Sequence, residues 1–269
     1  MSERFGIKQT WCNLLELPDV TLVMIETLNH ELARRSINES VSKAKFAEVL
    51  IFTDRDDLFF PLDCDARFIH VENWPTKVAW CNFRWSAITP FLKTSHYLMT
   101  EWDAWIWQPG MWRDDFLNYD YIGAPWWYKD GKNVGNGGFS LVSTCLKRYI
   151  TDRLWDYPCD SVVDDDLLCR TYRPKLELAG FEWAPERLAH EFAFECSRPS
   201  DSSNHFGFHA MFNWPHVLSK EQLLERLKIA SQSKYIKDSY IWKTFSNQHP
   251  KIIQELMELD NGGDYGISR

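Results

Sequence analysis

The chain has 269 residues and a formal net charge of −8, with 30 Lys and Arg against 38 Asp and Glu. Binding to a phosphate backbone needs clustered basic residues, and the chain has no long basic run, so nucleic acid is not expected as a partner. A small anionic ligand held by a metal or by backbone amides stays compatible with this charge. The length fits one large domain, or one domain with a helical appendage.

Aromatic residues are the unusual part of the composition, with 14 Trp, 10 Tyr and 17 Phe. Some of them must fill a core, and Trp also lines pockets that bind flat or sugar-like ligands. The seven Cys are dispersed, without a CxxC pair or a zinc spacing. This pattern, with an N-terminus that lacks a signal-peptide pattern, predicts reduced thiols and a cytoplasmic protein. No apolar stretch approaches the roughly 20 residues that span a bilayer.

The first part of the chain alternates predicted strands and helices. An apolar, β-branched run predicts a first strand at residues 19–26, and a helix is expected at residues 31–46. The next predicted elements are strands at residues 47–53 and 67–71, a helix at residues 77–93 and a strand at residues 97–99. This alternation predicts an α/β protein whose mixed, mainly parallel central sheet is flanked by helices.

Ligands of open α/β sheets bind beyond the carboxyl ends of the strands. The polar features at such ends are Thr27, the acidic turn at residues 54–57, and Glu101 with Asp103. Since alternate residues of a strand project to the same side, Glu101 and Asp103 are expected to point together. Two convergent carboxylates form a site for a hard cation, which can in turn hold a phosphate. The alternative interpretation is a solvated acidic turn.

A glycine-dense loop at residues 135–138 marks the middle of the chain. A short helix and an exit turn at residues 112–121 and an extended aromatic segment with Trp126 and Trp127 precede it, and a strand at residues 139–142 follows. Glycine permits positive φ and close approach of the backbone to a ligand, and a tight bend at a sheet edge is the alternative. The loop matches neither a P-loop nor a dinucleotide fingerprint.

Three consecutive carboxylates, Asp164, Asp165 and Asp166, follow a predicted helix at residues 144–155. Acidic residues stabilise a helix N-terminus by about 0.3–1 kcal/mol each, which explains two of the three. Functional sites tolerate the repulsion among such groups, so one of these carboxylates is a candidate general base. His209 lies in aromatic surroundings, where a metal ligand, a base and a packed core histidine are the three interpretations.

The C-terminal part of the chain is predicted to be helical from Ser219 onward, with Ser219 as the N-cap. An edge strand at residues 181–185 precedes it. The expected helices lie at residues 219–230, 236–245 and 251–259. We divide the chain into a domain of residues 1–218 and a helical extension of residues 219–269, packed on or beside it. Partner binding, cover of an acceptor groove and peripheral membrane contact stay open for the extension, and its mixed charge favours plain packing.

Several segments together resemble a known family. EWDAWI, YDYIGAPW, VGNGGFSL, an acidic pair before an apolar stretch, and FGFHAMFNWP resemble bacterial and fungal glycosyltransferase-like proteins catalogued as a domain of unknown function. The resemblance covers about residues 19–215, and YDYIGAPW and GNGGFSL are specific as a pair. It implies the GT-A-like (Rossmann-like) fold of nucleotide-sugar-dependent glycosyltransferases. The C-terminal helices fall outside it.

The resemblance also implies a metal site. Glu101, Trp102 and Asp103 take the place of an Asp-x-Asp motif, whose last Asp ligates a divalent metal, Mn²⁺ or Mg²⁺, on the donor diphosphate. His209 matches a C-terminal His that completes the metal site. Glu101 is one methylene longer than the usual Asp, which leaves open whether it contacts the metal directly or through water.

Further roles are implied for donor, acceptor and base. Thr27 lies where such enzymes meet the nucleotide. The residues that border the donor sugar and acceptor are Asn136, Gly137 and Gly138, and the aromatic faces offered for stacking are those of Trp102, Trp126 and Trp127. Asp164 and Asp165 take the place of the acidic pair that supplies the base of inverting members. Asp166 leaves the register of that base open by one residue.

These implications predict a metal-dependent glycosyltransferase. It would move a sugar from a nucleotide-diphosphate donor to a hydroxyl group of a saccharide or glycoconjugate acceptor, with inversion and an Asp base. One alternative is a nucleotidyltransferase or nucleotide-sugar hydrolase on the same sheet, without an acceptor pocket. The other is a non-catalytic carbohydrate-binding protein of the same fold, whose sugar binding would be insensitive to EDTA.

Overall fold

The computed structural model describes residues 14–74, 77–153, 164–195 and 204–262. The strands are β1 Leu15–Ile25, β2 Ala44–Thr53, β3 Arg67–His70, β4 His96–Thr100, β5 Trp105–Ile106, β6 Tyr121–Gly123, β7 Phe139–Ser143, β8 Ala193–Phe194 and β9 Gly207–Phe208. The helices are α1 His30–Val41, α2 Lys77–Ser86, α3 Thr144–Arg153, α4 Asp164–Asp166, α5 Arg173–Leu178, α6 Glu186–Phe192, α7 Trp214–Val217, α8 Lys220–Gln232, α9 Lys234–Lys237, α10 Tyr240–Gln248 and α11 Pro250–Gly262. Predictions for the N-terminal segment, for residues 154–163 and for Cys12, Cys159 and Cys196 lie outside the described residues.

Six strands build the central sheet in the order β3-β2-β1-β4-β7-β6. β1 pairs in parallel with β2 and β4, and β2 pairs in parallel with β3. β7 runs antiparallel to both β4 and β6. The predicted mixed, mainly parallel sheet is therefore confirmed. The reversal of β7 brings its start beside the end of β4, because Phe139 pairs with Thr100.

The strands at the centre of the sheet are buried on both faces. β4 is buried along its whole length, as is β1 from Val20 onward. Such continuous apolar runs are typical of strands covered by helices on both sides. The helix predicted at residues 31–46 is wrong at its end, because residues 44–46 pair with the start of β1 and belong to β2.

Two other predicted elements differ from the structure around prolines. The helix expected at residues 77–93 ends at Ser86, and Pro90 lies in a separate short turn. Proline has no amide hydrogen with which to continue an α-helix. The edge strand expected at residues 181–185 is a single bridge from Trp183 to Tyr121. Pro185, which cannot donate to a ladder, directly precedes α6.

The short helix and exit turn predicted at residues 112–121 correspond to a 3-10 helix at Asp114–Asn118, after which the chain enters β6 at Tyr121. The strand predicted at residues 139–142 is present as β7. A second sheet, in the order β5-β9-β8, was not predicted, because strands of two residues leave no periodic pattern in the sequence.

The C-terminal helices pack on the same core as the central sheet. The buried apolar side chains that do so are Leu223, Leu227, Ala230, Ile236, Phe245 and Leu256. Ser219 caps α8 in a capping box with Gln222, as predicted. Ion pairs join α8 to α1, with Arg226 3.2 Å from Glu39 and Glu225 2.7 Å from Arg35. The division of the chain at residue 218 stays a prediction.

Two further observations concern membranes and thiols. Within the described ranges, none of the helices has the length and apolar character that crossing a bilayer requires. The cysteines of these ranges carry free thiols, namely Cys64, Cys81, Cys145 and Cys169. Burial raises the pKa of the Cys64 thiol to about 11, so this group stays protonated near neutral pH.

Candidate functional site

A turn at the end of β4 brings Glu101 and Asp103 together. The amide of Ala104 donates to the carbonyl of Glu101 at 3.1 Å, and the hydroxyl of Thr100 donates to the carbonyl of Ala104 at 2.7 Å. The two carboxylates converge as predicted, but the cause is this turn and not the alternation of side chains along a strand.

The second sheet carries His209 to the same place. Phe208, at the end of β9, pairs with Trp105 of β5 and with Phe194 of β8. The residues next to these strands at one end of the sheet therefore become neighbours. Glu195 follows β8 and His209 follows β9, and the amide of His209 donates to the carbonyl of Phe194 at 3.0 Å.

The side chains of Glu101, Asp103 and His209 form what we call the carboxylate–histidine cluster. Nε2 of His209 lies 3.4 Å from Oδ1 of Asp103 and 3.7 Å from Oε2 of Glu101. One ligand atom from each residue lies within 4.8 Å of the others. Nδ1 of His209 lies 3.1 Å from Oε1 of Glu195.

The charge of this cluster favours a cation. Burial opposes protonation of His209, but the charge of Asp103 and hydrogen bonds to the surrounding carboxylates outweigh it and raise the pKa of His209 well above its usual value. A metal would replace the proton on Nε2, whose lone pair then faces Asp103 and Glu101 while Nδ1–H donates to Glu195. Outer partners of this kind orient histidines that ligate metals.

Asp103 gives the clearest indication that the cluster fits a metal. Asp103 is 1% exposed, and its Oδ2 accepts a hydrogen bond from the amide of Met211 at 3.1 Å. Its Oδ1 is buried and makes no hydrogen bond in the part of the chain that the structure describes, and the positive charge next to it is that of a protonated His209, whose Nε2 lies 3.4 Å away. A buried carboxylate oxygen without a donor is costly unless a positive charge compensates it. Two carboxylates and an imidazole are suitable ligands for Mn²⁺, and Mg²⁺ prefers the carboxylates among them.

Arg84, on α2, is a buried cation that the sequence analysis missed. Its Nε lies 3.1 Å from Oδ2 of Asp164, and its Nη1 lies 3.4 Å from Oε1 of Glu101. Its Nη2 donates to the carbonyl of Gly137. Burial alone would lower the pKa of Arg84, but the charges of Asp164 and Glu101 raise it above its usual value. The signal for Arg84 in the sequence was its position between two aromatic residues, which indicates burial. A buried cation needs a buried partner, so this position pointed to an ion pair.

The acidic pair lies against the glycine-dense loop. Asp164 pairs with Arg84, and Oδ2 of Asp165 accepts a hydrogen bond from the amide of Gly137 at 2.8 Å. Burial, together with repulsion from Asp164, raises the pKa of Asp165 to about 6. A carboxyl group with this pKa is ionised near neutral pH and can still accept a proton during a reaction. Asp166 lies 3.5 Å from Arg170 in an ion pair of its own.

The loop has glycines because its backbone touches the two cationic side chains. A Cβ atom at Gly137 would lie 2.6 Å from Nη2 of Arg84, and one at Gly138 would lie 2.2 Å from Nε2 of His209. Asn136 adopts a φ of 63°, and its Oδ1 accepts a hydrogen bond from the amide of Gly138 at 3.2 Å. The sequence predicted a close approach of this backbone to a ligand, and the structure shows a close approach to Arg84 and His209.

A cavity of about 400 Å³ adjoins the carboxylate–histidine cluster at the carboxyl end of β1. Thr27, Glu101 and Trp102 line it, so these three expected site residues do meet at one place. The acidic turn at residues 54–57 does not line the cavity, and Asp54 pairs instead with His30 at 2.8 Å. A volume of this size accommodates a small organic ligand.

The expected aromatic faces lie in three different environments. Trp102 lines the cavity and packs edge-on against Trp214, with 5.9 Å between ring centroids. Trp126 lies over Gly135, where a Cβ atom would be 2.1 Å from its ring. Trp127 is 67% exposed. Neither Trp126 nor Trp127 lines the cavity, so their role beside an acceptor stays a prediction.

One family model matches the middle of the chain. A family model described as a protein of unknown function (DUF5672) matches residues 85–209, just under half of the chain. This match agrees with the resemblance to a family of unknown function, and it begins at Trp85 and ends at His209. No curated protein matches the chain.

One solved structure that the chain is similar to is described as a glycosyltransferase involved in the glycosylation of the major capsid of PBCV-1. The two are 12% identical over 71% of this chain and 91% of that chain, with a TM-score of 0.45. At this level the likeness carries no conclusion about activity.

Proposed function

We propose that the protein is a metal-dependent glycosyltransferase that moves a sugar from a nucleoside diphosphate to a hydroxyl group of a saccharide or glycoconjugate acceptor. The observation that carries the proposal is the carboxylate–histidine cluster beside the 400 Å³ cavity. Open α/β sheets bind their ligands at this edge. The cavity has room for a nucleoside, and the cluster provides ligands for a cation on the adjoining diphosphate.

The residues around the cluster divide the proposed work. Asp103, His209 and Glu101 would hold Mn²⁺ or Mg²⁺. The bound cation supplies Lewis-acid stabilisation of the charge that develops on the leaving diphosphate. Arg84 contributes a fixed positive charge next to Glu101, and preorganised charges of this kind favour such a transition state.

Asp165 is the proposed general base for the acceptor hydroxyl. The amide of Gly137 holds its carboxylate, and the pKa of about 6 suits proton uptake near neutral pH. Asn136, Gly137 and Gly138 would border the donor sugar and acceptor, since their backbone lies between Asp165 and His209. An attacking hydroxyl held there would lose its proton to Asp165 as it reaches the anomeric carbon, with inversion.

A binding assay and a transfer assay test separate parts of the proposal. In thermal shift with Mn²⁺, a nucleotide sugar at 100 times its Kd is expected to stabilise the protein by about 2.7 kcal/mol, and EDTA should remove the shift. Asp103→Asn is expected to lose this shift and at least about 100-fold in transfer rate, since even outer partners of a metal contribute 10- to 100-fold. Full turnover by Asp103→Asn with metal present would overturn the proposal.

Asp165→Asn provides the matched variant for the base. It is expected to keep the Mn²⁺-dependent shift and to lose transfer. In the wild type, the transfer rate should fall as the pH drops through about 6, because Asp165 is then protonated before the acceptor arrives. Product analysis separates the alternatives. A hydrolase releases free sugar without a saccharide acceptor, and a binding protein retains sugar in EDTA.

A further inference from the structure

Glu26 is a buried carboxyl group that lines the cavity directly after β1. Its Oε1 accepts hydrogen bonds from the amide of Leu28 at 2.6 Å and from the amide of Asn29 at 2.9 Å. These two bonds fix the orientation of the carboxyl group and use both lone pairs of Oε1. A structural role in the turn before α1 therefore accounts for one of the two oxygens.

The other oxygen of Glu26 has no such role. Neither of the two bonds involves Oε2, and none of the ion pairs between described side chains includes Glu26. The backbone of Thr27 is a further hydrogen-bonding contact of the carboxyl group. Burial raises the pKa of Glu26 to about 7, so ionising the group is costly in the protein alone. The protonated group would donate from Oε2 and the ionised group accepts there, so a ligand that presents N–H or O–H donors to Oε2 stabilises the ionised form.

The remaining walls of the cavity suit a flat ring. Trp74 and Trp80 line the cavity, and Tyr235 lines it from α9. The indole N–H of Trp80 donates to the carbonyl of Ile25 at 3.4 Å, which holds this ring at the end of β1. Nucleobases stack on aromatic side chains irrespective of base identity, so stacking alone cannot select one nucleoside. Selection requires a polar group such as Glu26.

We propose that Glu26 is a specificity residue that reads hydrogen-bond donors of the nucleoside through Oε2. This inference rests on the proposed function of the cavity as the donor site. Two parts of a nucleoside carry suitable donors. One is a base edge such as N1–H and the 2-amino group of guanine, and the other is the pair of ribose hydroxyls.

Glu26→Gln tests the inference without removing the turn. Glutamine keeps an oxygen acceptor for the two amides and places an NH₂ donor where Oε2 lies. Binding of GDP, UDP, ADP and CDP, and of their 2′-deoxy forms, is measured by calorimetry on the Mn²⁺-loaded protein. Glu16→Gln is the matched control, since Glu16 lies on β1, the strand that Glu26 follows, and its side chain is 65% exposed.

The expected result is a loss of at least about tenfold in affinity for the preferred nucleotide in Glu26→Gln and none in Glu16→Gln. Recognition of the base edge changes the ranking of the four nucleotides. Recognition of the ribose weakens all four alike and removes the preference for ribo over 2′-deoxy forms. An unchanged ranking together with an unchanged ribose preference overturns the role of Glu26. If the wild type binds none of the nucleotides with Mn²⁺, the proposed function itself is overturned.

Discussion

The cavity differs in construction from the group of buried charges beside it, which we call the charged centre. The charged centre consists of Arg84, Glu101, Asp103, Asp164 and His209. The cavity is lined mainly by uncharged side chains from several parts of the chain, among them Thr27 after β1, Trp80 of α2 and Tyr235 of α9. The charged centre joins residues from Arg84 to His209, and its members compensate one another while buried. A change in the cavity should therefore alter binding alone, whereas a change in the charged centre should also alter stability.

Arg84→Met is expected to have the largest effect, since it leaves Asp164 and Glu101 without their buried cation. The free energy of unfolding should fall by about 3–5 kcal/mol, the usual result of removing one partner of a buried ion pair. Urea unfolding at pH 7 measures this loss. A smaller loss is expected at pH 5, because protonation neutralises the unpaired carboxylates.

Arg35→Met is the control for this experiment. Arg35 pairs with Glu31 and Glu225 near the surface, and such pairs contribute about 0–1 kcal/mol. If both variants lost the same small amount, Arg84 would be no more important than a surface arginine. The contrast between cavity and charged centre would then fail.

Glu195→Ala is expected to have an intermediate effect, limited to the binding of the cation. It removes the acceptor next to Nδ1 of His209, so the imidazole is no longer held with Nε2 toward Asp103. The affinity for Mn²⁺ should fall by roughly 10- to 100-fold. It is measured by electron paramagnetic resonance, which detects the free ion. Glu195→Gln, which keeps an acceptor, should lose less. Unchanged Mn²⁺ affinity in both variants would argue against His209 as a ligand.

Trp127→Ala is expected to have the smallest effect. Trp127 is 67% exposed and outside the cavity, so its removal should change stability and nucleotide affinity by less than about 0.5 kcal/mol. Thermal melting and nucleotide titration measure both. If acceptor saturation were lost while nucleotide affinity stayed constant, the predicted role of Trp127 in acceptor binding would be supported.

The sequence predicted well where a local pattern determines the structure. The continuous apolar runs of β1 and β4 and the cap at Ser219 are such patterns, and all three were recognised. These strands and this cap are determined by residues adjacent in the sequence, so periodicity and side-chain chemistry suffice to detect them. Glu101 and Asp103 were also recognised as convergent, although a turn brings them together.

Contacts between residues that are far apart in the sequence could not be predicted from local patterns. Glu195 reaches His209 only because β8 and β9 pair through two residues each, and no periodic signal marks such short strands. Arg84 lies within the helix predicted at residues 77–93, but its partner Asp164 lies 80 positions further along the chain. The link from Asp103 to His209 came from a family resemblance, since their spacing in sequence implies no contact.

Asn29 connects the cavity to the C-terminal helices. Its amide donates to Glu26, and its Oδ1 accepts a hydrogen bond from the hydroxyl of Ser233, the N-cap of α9, at 2.8 Å. A ligand on Glu26 and the docking of α9 thus act on the same residue, and such thermodynamic coupling is reciprocal. The ligand should slow hydrogen exchange in α9, and the helical extension in turn contributes to the affinity of a site whose charged groups lie elsewhere in the sequence.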